Sequence, residues 1–262
     1  MSGATARATR EHSDACRRAL ARDAAEWYRA SGLFAHRFAR GKLRGDPAYI
    51  GLVERKLIAD NARVLDLGCG QALLVAWLLA ARARYDVGGW PSGWPAPPRL
   101  GTFTGIELMQ RDVDRARRAF DDGASALPLD RAGLLSDDVT LIAGDIRSVP
   151  FAAADTAIIL DVLHYMNAGD QMSVLERVRD ALRPSRGSLL LRIGDASAGL
   201  PFKTSLWVDR TVTFIRGHRL PKMHCRPLAE WKTTLLSLGF TVEAIPMSAG
   251  TPFANVLLAA RL

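Results

Sequence analysis

Cysteine is scarce in this chain. Cys16, Cys69 and Cys225 are the three among 262 residues, too far apart and odd in number for a disulfide framework or a C-x-x-C metal site. Lysine is scarce as well: of 35 basic residues, Lys42, Lys56, Lys203, Lys222 and Lys232 are the lysines and the rest are arginines. No block of five or more like charges occurs, so no basic tail marks a nucleic-acid-binding arm. No run of about 18 apolar residues occurs, so no spanning helix is expected. The stretch "MSGATARATREHSDACRR" is basic but is not followed by an apolar segment, so it does not read as a secretory signal. A cytoplasmic protein is expected.

What is present is an ordinary globular balance, 48% hydrophobic and 24% charged residues, which excludes wholesale disorder. The formal net charge of +8 admits acidic or polyanionic partners. The bias to arginine, beside many alanines, also follows from a GC-rich genome. Nucleic acid therefore ranks behind a small molecule as the expected partner. The length suits one large α/β domain, with or without a cap.

Apolar spacing sets out the elements. Cys16, Leu20, Ala24, Trp27 and Tyr28 predict an amphipathic first helix, and Phe34 and Phe38 a short second one. Gly41 and Gly45 punctuate the next stretch. Asp46-Pro47 reads as an N-cap followed by proline at the first helical position, opening a third helix through Leu52 and Leu57. A strand is expected over 62–67, then a helix with Leu73, Leu74, Trp77, Leu78 and Ala81 on one face. "DVGGWPSGWPAPPRL" reads as a loop. Strands at 103–106, 139–143, 157–160 and 188–193 alternate with helices at 111–120 and around Val174, Leu175, Val178 and Leu182, the latter stopping at Pro184. This alternation implies a parallel sheet flanked by helices. After a helix at 228–238, two strands joined by a short loop can pair only antiparallel.

The stretch "VLDLGCGQA" (64–72) turns a buried strand into a helix through two glycines. By itself such a turn serves a dinucleotide, a nucleoside triphosphate or S-adenosylmethionine. Leu73 stands where a dinucleotide fingerprint wants a small residue, and no lysine–hydroxyl pair follows as a triphosphate loop requires.

In company with its neighbours, "VLDLGCG" resembles the first motif of the class I S-adenosylmethionine-dependent methyltransferases. "FTGIELM" resembles the second, "LIAGDIRSVPF" the third and "AIILDVLHYM" the fourth, and "LRPSRGSLLLRI" resembles the turn before the fifth strand. The resemblance runs in order from Ala62 onward. It implies a Rossmann-like, seven-stranded, mostly parallel α/β sheet with an antiparallel last strand and helices on both faces. Residues 1–61 would form an N-terminal helical extension and 62–262 the methyltransferase domain, with a loop insertion at 84–100 and a substrate lid at 194–225.

The resemblance also implies roles. Gly68, Cys69 and Gly70 would bring backbone close to the methionyl part of the cofactor, with Cys69 a small filler, and Asp66 would orient the turn and the cofactor's amino group. Glu107 would accept the ribose hydroxyls. Asp145 would accept from the adenine amine, with Leu108, Met109 and Ile146 against the ring. Asp161 would sit near the methionyl end and the substrate. His164 is the first candidate for a general base, followed by Tyr165, Asp161 and His218. No metal is expected.

Two departures stand out. Ala72 occupies a position often held by glycine, and Glu107 lies 41 residues after Asp66 where a compact unit has about 20; the Gly/Trp/Pro loop supplies the excess. Trp90 and Trp94 read as a loosely packed surface insertion or an aromatic platform, Lys42 as a solvated charge or part of a cofactor cover, and His224 as a surface residue or part of the lid. The patch of Leu206, Trp207, Val212, Phe214 and Ile215 reads as packing or as an apolar substrate pocket. The fourth motif lacks the Asn/Asp-Pro-Pro-aromatic sequence of amino-group methyltransferases. "FARGKLRGDP", "WVDRTVTFIRGHRLPKMHCRPLAEW" and "GTPFANVLLAARL" resemble bacterial methyltransferases that accompany aryl-polyene-type pigment pathways. That likeness implies an aromatic acceptor, free or on an acyl carrier protein. An RNA methyltransferase and a non-catalytic S-adenosylmethionine-binding protein remain the alternatives.

Overall fold

The computed structural model of the chain describes residues 3–121, 138–196, 223–248, 251 and 254–262. Its strands are β1 (Ala62–Leu67), β2 (Leu100–Glu107), β3 (Val139–Ala143), β4 (Thr156–Leu160), β5 (Ser188–Gly194), β6 (Thr241–Pro246) and β7 (Asn255–Arg261). They form one sheet in the order β3-β2-β1-β4-β5-β7-β6. The pairs β1–β4, β2–β3 and β4–β5 are parallel, and β7 runs antiparallel to both β5 and β6. The short return after β6 allows no crossover, so the reversed direction of β7 follows. Val64, Leu65, Leu67, Ile158, Ile159 and Leu189–Leu191 are buried, the continuous apolar pattern of strands covered on both faces.

The chain divides into two compact units, Met1–Ala62 with Cys69–Ala143, and Arg63–Gly68 with Gly144–Leu262. The first holds α1 (Gly3–Glu26), a 3-10 turn at Trp27–Arg29, α2 (Leu33–Gly45), α3 (Pro47–Glu54), α4 (Leu73–Asp86) and α5 (Gln110–Asp121), with β2 and β3. Residues Leu73 to Ala81 of α4 are all buried. A helix apolar on every side needs cover on every side, and α1 packs on it. Asp46 caps α3 as expected, its Oδ1 accepting from the Ala48 amide at 2.9 Å.

Three local expectations are corrected here. Gly41 does not interrupt α2, because the buried stripe of Ala35, Ala39 and Leu43 outweighs its poor helix propensity. Leu57 lies beyond α3: Lys56 takes φ +50° and the Leu57 amide returns to Leu52 O at 3.0 Å, a left-handed helix stop. The tryptophan loop is not loose. Trp90 donates from Nε1 to Pro95 O at 3.0 Å and meets Trp94 edge-on at 5.3 Å.

The second unit holds β1, β4, α6 (Ala168–Leu182), β5, α7 (Leu228–Ser237), β6 and β7. Asp155 receives the Arg63 amide at 2.8 Å and its guanidinium at 2.7 Å, which holds the Asp155 carboxyl down to about 2. Asn167 caps α6 through the Asp170 amide. No helix among the described residues is long and apolar enough to cross a membrane. His218 and the patch from Leu206 to Ile215 lie outside the described residues, as does most of the expected lid.

Candidate functional site

In the first unit the glycine turn is tied to the end of β2. The Cys69 amide donates to Ile106 O at 3.2 Å, and the Ala72 amide closes the turn on Cys69 O at 2.9 Å. Gly70 adopts φ +57°, and its amide donates to Glu107 Oε2 at 3.0 Å. Glu107 Oε1 accepts from the Met109 amide at 2.9 Å. Each carboxylate oxygen thus takes one of these backbone hydrogens. Cys69 is packed against the strand: a Cβ on Gly105 would come within 2.8 Å of its Sγ. Leu108, directly after Glu107, is 62% exposed, unusual for so large an apolar side chain.

In the second unit Gly68 and the loop after β4 are in close contact. Gly68 has φ +76°, and a Cβ there would lie 2.3 Å from Val162 Cγ2. Asp66 is buried in β1, opposite Ile158. Asp161 stands in the left-handed region at φ +60°, a conformation that costs most residues about 1–2 kcal/mol. Its carboxylate is gripped by Arg192, through Nε at 2.9 Å and through Nη2. Arg192 is itself buried, so the pair removes the cost of an isolated interior charge.

His164 and Tyr165 follow on a 3-10 turn, Leu163–Tyr165, with their ring centroids 4.1 Å apart. His164 Nε2 is buried without a hydrogen-bond partner among the described residues. Burial pushes its pKa below the usual histidine value; Asp161 pulls it up and Arg192 pushes it further down. The imidazole is therefore neutral near pH 7. Gln171 of α6 fixes the turn: its Nε2 lies 3.0 Å from the carbonyls of Leu163, Met166 and His224, which share its two hydrogens. The His224 amide donates to His164 O at 2.7 Å, which ties the backbone at His224 to the turn.

Asp145 begins the turn after β3. Both of its oxygens accept from Arg147, through Nε at 3.0 and 2.9 Å and through Nη2 at 2.5 Å, and this pairing lowers its pKa. Ile146 is buried, and Arg177 donates to its carbonyl at 2.7 Å. Among the described residues no group of three or more His, Cys, Asp or Glu could hold a metal ion.

The structure brings Gly70 to Glu107, Gly68 to the loop that carries Asp161, and Asp161 to Arg192 within electrostatic reach of His164. Arg192, Gln171 and Val162 escaped the reading of the sequence, although two of them left a signal. Arg192 is the one charge in "SLLLRIG", and a cation inside an apolar strand demands a partner. Gln171 occupies the apolar stripe that continues as Val174, Leu175 and Val178.

Strand order, the antiparallel β7 and the glycine turn after β1 together define the class I S-adenosylmethionine-dependent methyltransferase fold. Among solved structures of that fold, the mitomycin 7-O-methyltransferase MmcR superposes with a TM-score of 0.58 at 20% identity, covering 87% of this chain and 56% of that one. Magnesium protoporphyrin IX methyltransferase from Synechocystis PCC 6803, with bound SAH, gives 0.54 at 17% identity over 90% of this chain and 92% of its own. The carboxy-S-adenosyl-L-methionine synthase of Chromohalobacter salexigens is 29% identical over 142 residues, 54% of this chain and 43% of that protein. The chain spans about half the length of the curated relatives it matches. No family model matches it.

Proposed function

We propose that this chain is an S-adenosylmethionine-dependent methyltransferase acting on a small, aromatic acceptor, free or bound to a carrier protein. The observation that carries the reading is the Gly70–Glu107 hydrogen bond. A carboxylate at the end of β2, steadied by two backbone amides, suits a pair of vicinal ribose hydroxyls. Open α/β sheets take their ligands at these strand ends. The curated relatives' name, built on S-adenosylmethionine, supports the same cofactor, and the mitomycin and protoporphyrin enzymes support a cyclic, unsaturated acceptor.

In this reading Gly68, Cys69 and Gly70 bring backbone to the methionyl part, Asp66 orients the turn, and Glu107 holds the ribose. Leu108, exposed beside Glu107, offers an apolar surface to the adenine. Asp145 receives the adenine amine in competition with Arg147, whose guanidinium already occupies both oxygens. Asp161, fixed by Arg192, lies toward the methionyl end. S-adenosylmethionine supplies an electrophilic methyl group on its sulfonium. His164, neutral and with its buried Nε2 unpaired among the described residues, takes the proton that an acceptor hydroxyl or amine gives up, and the Tyr165 ring lies tilted against it at a centroid distance of 4.1 Å.

Titration calorimetry of the purified protein with S-adenosylmethionine and S-adenosylhomocysteine tests the reading. Saturable binding of both supports it, and absence of binding by either ligand overturns it. A gel shift with RNA at low salt separates the small-molecule reading from an RNA substrate. Salt-sensitive RNA binding would count against a small acceptor.

A further inference from the structure

The Tyr28 hydroxyl donates to the carbonyl of Gln71 at 2.7 Å, across 43 residues of chain and in the interior of the first unit. Tyr28 is fully buried, and burial holds its phenol well above the ordinary tyrosine pKa, so it remains a neutral donor. Gln71 lies between Gly70 at φ +57° and Ala72 at φ +56°. Ala72 is the N-cap of α4. A helix's own ladder begins with the carbonyl of its N-cap, so the carbonyl before it has no helical partner. In a buried turn such an acceptor is costly unless a side chain reaches it, and Tyr28 does.

The same residue is held from the other side. Gln71 Nε2 meets Asp112 Oδ1 at 3.2 Å, and Arg115 donates to that oxygen at 3.0 Å. Orienting a peptide carbonyl also orients the amide on the same plane. The Gln71 carbonyl therefore sets the direction of the Ala72 amide, two residues on from the Gly70 amide that meets Glu107.

We propose that Tyr28 is a positioning residue for the cofactor turn, and that the N-terminal helices act as part of that turn rather than as a detachable cover. This rests on the S-adenosylmethionine reading above. Tyr28 touches no ligand in this account; it sets the backbone that does.

The test pairs Tyr28→Phe with Ser31→Ala. Ser31 Oγ donates to Arg115 O at 2.6 Å, so its loss loosens the same N-terminal segment without touching Gln71. By calorimetry on folded protein, Tyr28→Phe should bind S-adenosylhomocysteine about tenfold more weakly, while Ser31→Ala stays within about twofold of the parent. Equal affinity of Tyr28→Phe and the parent overturns the proposal, and so does an equal loss in both variants. If the parent itself binds neither S-adenosylmethionine nor its product, the functional reading fails. Amide exchange without ligand then decides Tyr28 separately: faster exchange at residues 69–73 in Tyr28→Phe supports the positioning role, and unchanged exchange overturns it. Should the variant not fold, the parent alone suffices. S-adenosylhomocysteine should slow exchange at residues 24–29 together with 68–73, and protection confined to 68–73 overturns the coupling.

Discussion

Gly70 and Glu107, 37 residues apart in sequence, are joined by a 3.0 Å hydrogen bond from the glycine amide to the carboxylate. The bond ties the turn after β1 to the end of β2. Replacing Glu107 with alanine removes both the proposed ribose acceptor and this tie. Binding of S-adenosylhomocysteine should weaken by about 10- to 100-fold, the scale of hydrogen bonds to a charged group. Glu107→Gln, which keeps one acceptor oxygen, should lose less. Calorimetry on the two variants checks both the loss and its order.

Gly68 faces Val162 so closely that no side chain fits. Gly68→Ala places a methyl group 2.3 Å from Val162 Cγ2 and also strains a backbone at φ +76°. Overpacking of this kind costs about 1–3 kcal/mol. Adding Val162→Ala removes the clash but leaves the strain, so the double variant should recover part of the loss. Denaturant unfolding of the four proteins gives the coupling, expected to exceed about 0.5 kcal/mol. A purely additive result would show that the contact is not felt.

Much of this was legible in the sequence because it lies in short-range patterns. β1 and β3 fall where the apolar runs placed them, and the antiparallel β7 followed from a loop too short for a crossover. What stayed hidden depends on partners far apart in sequence. Nothing local in "WYR" tells that Tyr28 reaches Gln71, and nothing in "DVL" that Val162 stands against Gly68. Arg147 was visible two residues from Asp145, but its grip on both oxygens is a matter of rotamer. The end of α3 was missed for a backbone reason: Lys56 enters the left-handed region with no glycine to announce it.

Ala72 holds a left-handed conformation, φ +56° and ψ +40°, in a fully buried position. Such a backbone costs an L-residue about 1–2 kcal/mol, against about 0.5–1 kcal/mol for glycine's greater freedom when unfolded. Ala72→Gly should therefore be neutral to stabilising, raising the thermal midpoint by up to about 2–4 °C. A lowered midpoint would mean that the alanine methyl contributes more in packing than its backbone costs.

Asp161 and Arg192 form an ion pair whose cation is 2% exposed. Asp155 and Arg63 form one whose cation is 45% exposed. Asp161→Ala strands a buried guanidinium and should destabilise by about 3–5 kcal/mol; Asp155→Ala should cost clearly less, because water takes over the solvation of Arg63. Removing both charges, with Asp161→Ala and Arg192→Met, should restore part of the stability lost by Asp161→Ala alone. Urea unfolding ranks the three, and equal losses for Asp161→Ala and Asp155→Ala would refute the role given to burial.

His164 gives the fold a pH dependence of known sign. Burial lowers its folded-state pKa below 6.5, so at mildly acid pH the unfolded chain binds a proton that the folded chain refuses. Stability from this residue is fully present above about pH 6.5 and is lost as pH falls toward the folded-state value. The chain carries other histidines, so the informative quantity is a difference. Between about pH 7.5 and 5.5 the thermal midpoint of the parent should fall more steeply than that of His164→Gln, which has no proton to gain. Parallel slopes would mean that His164 is charged as readily in the fold as in water, and would remove it as a neutral base.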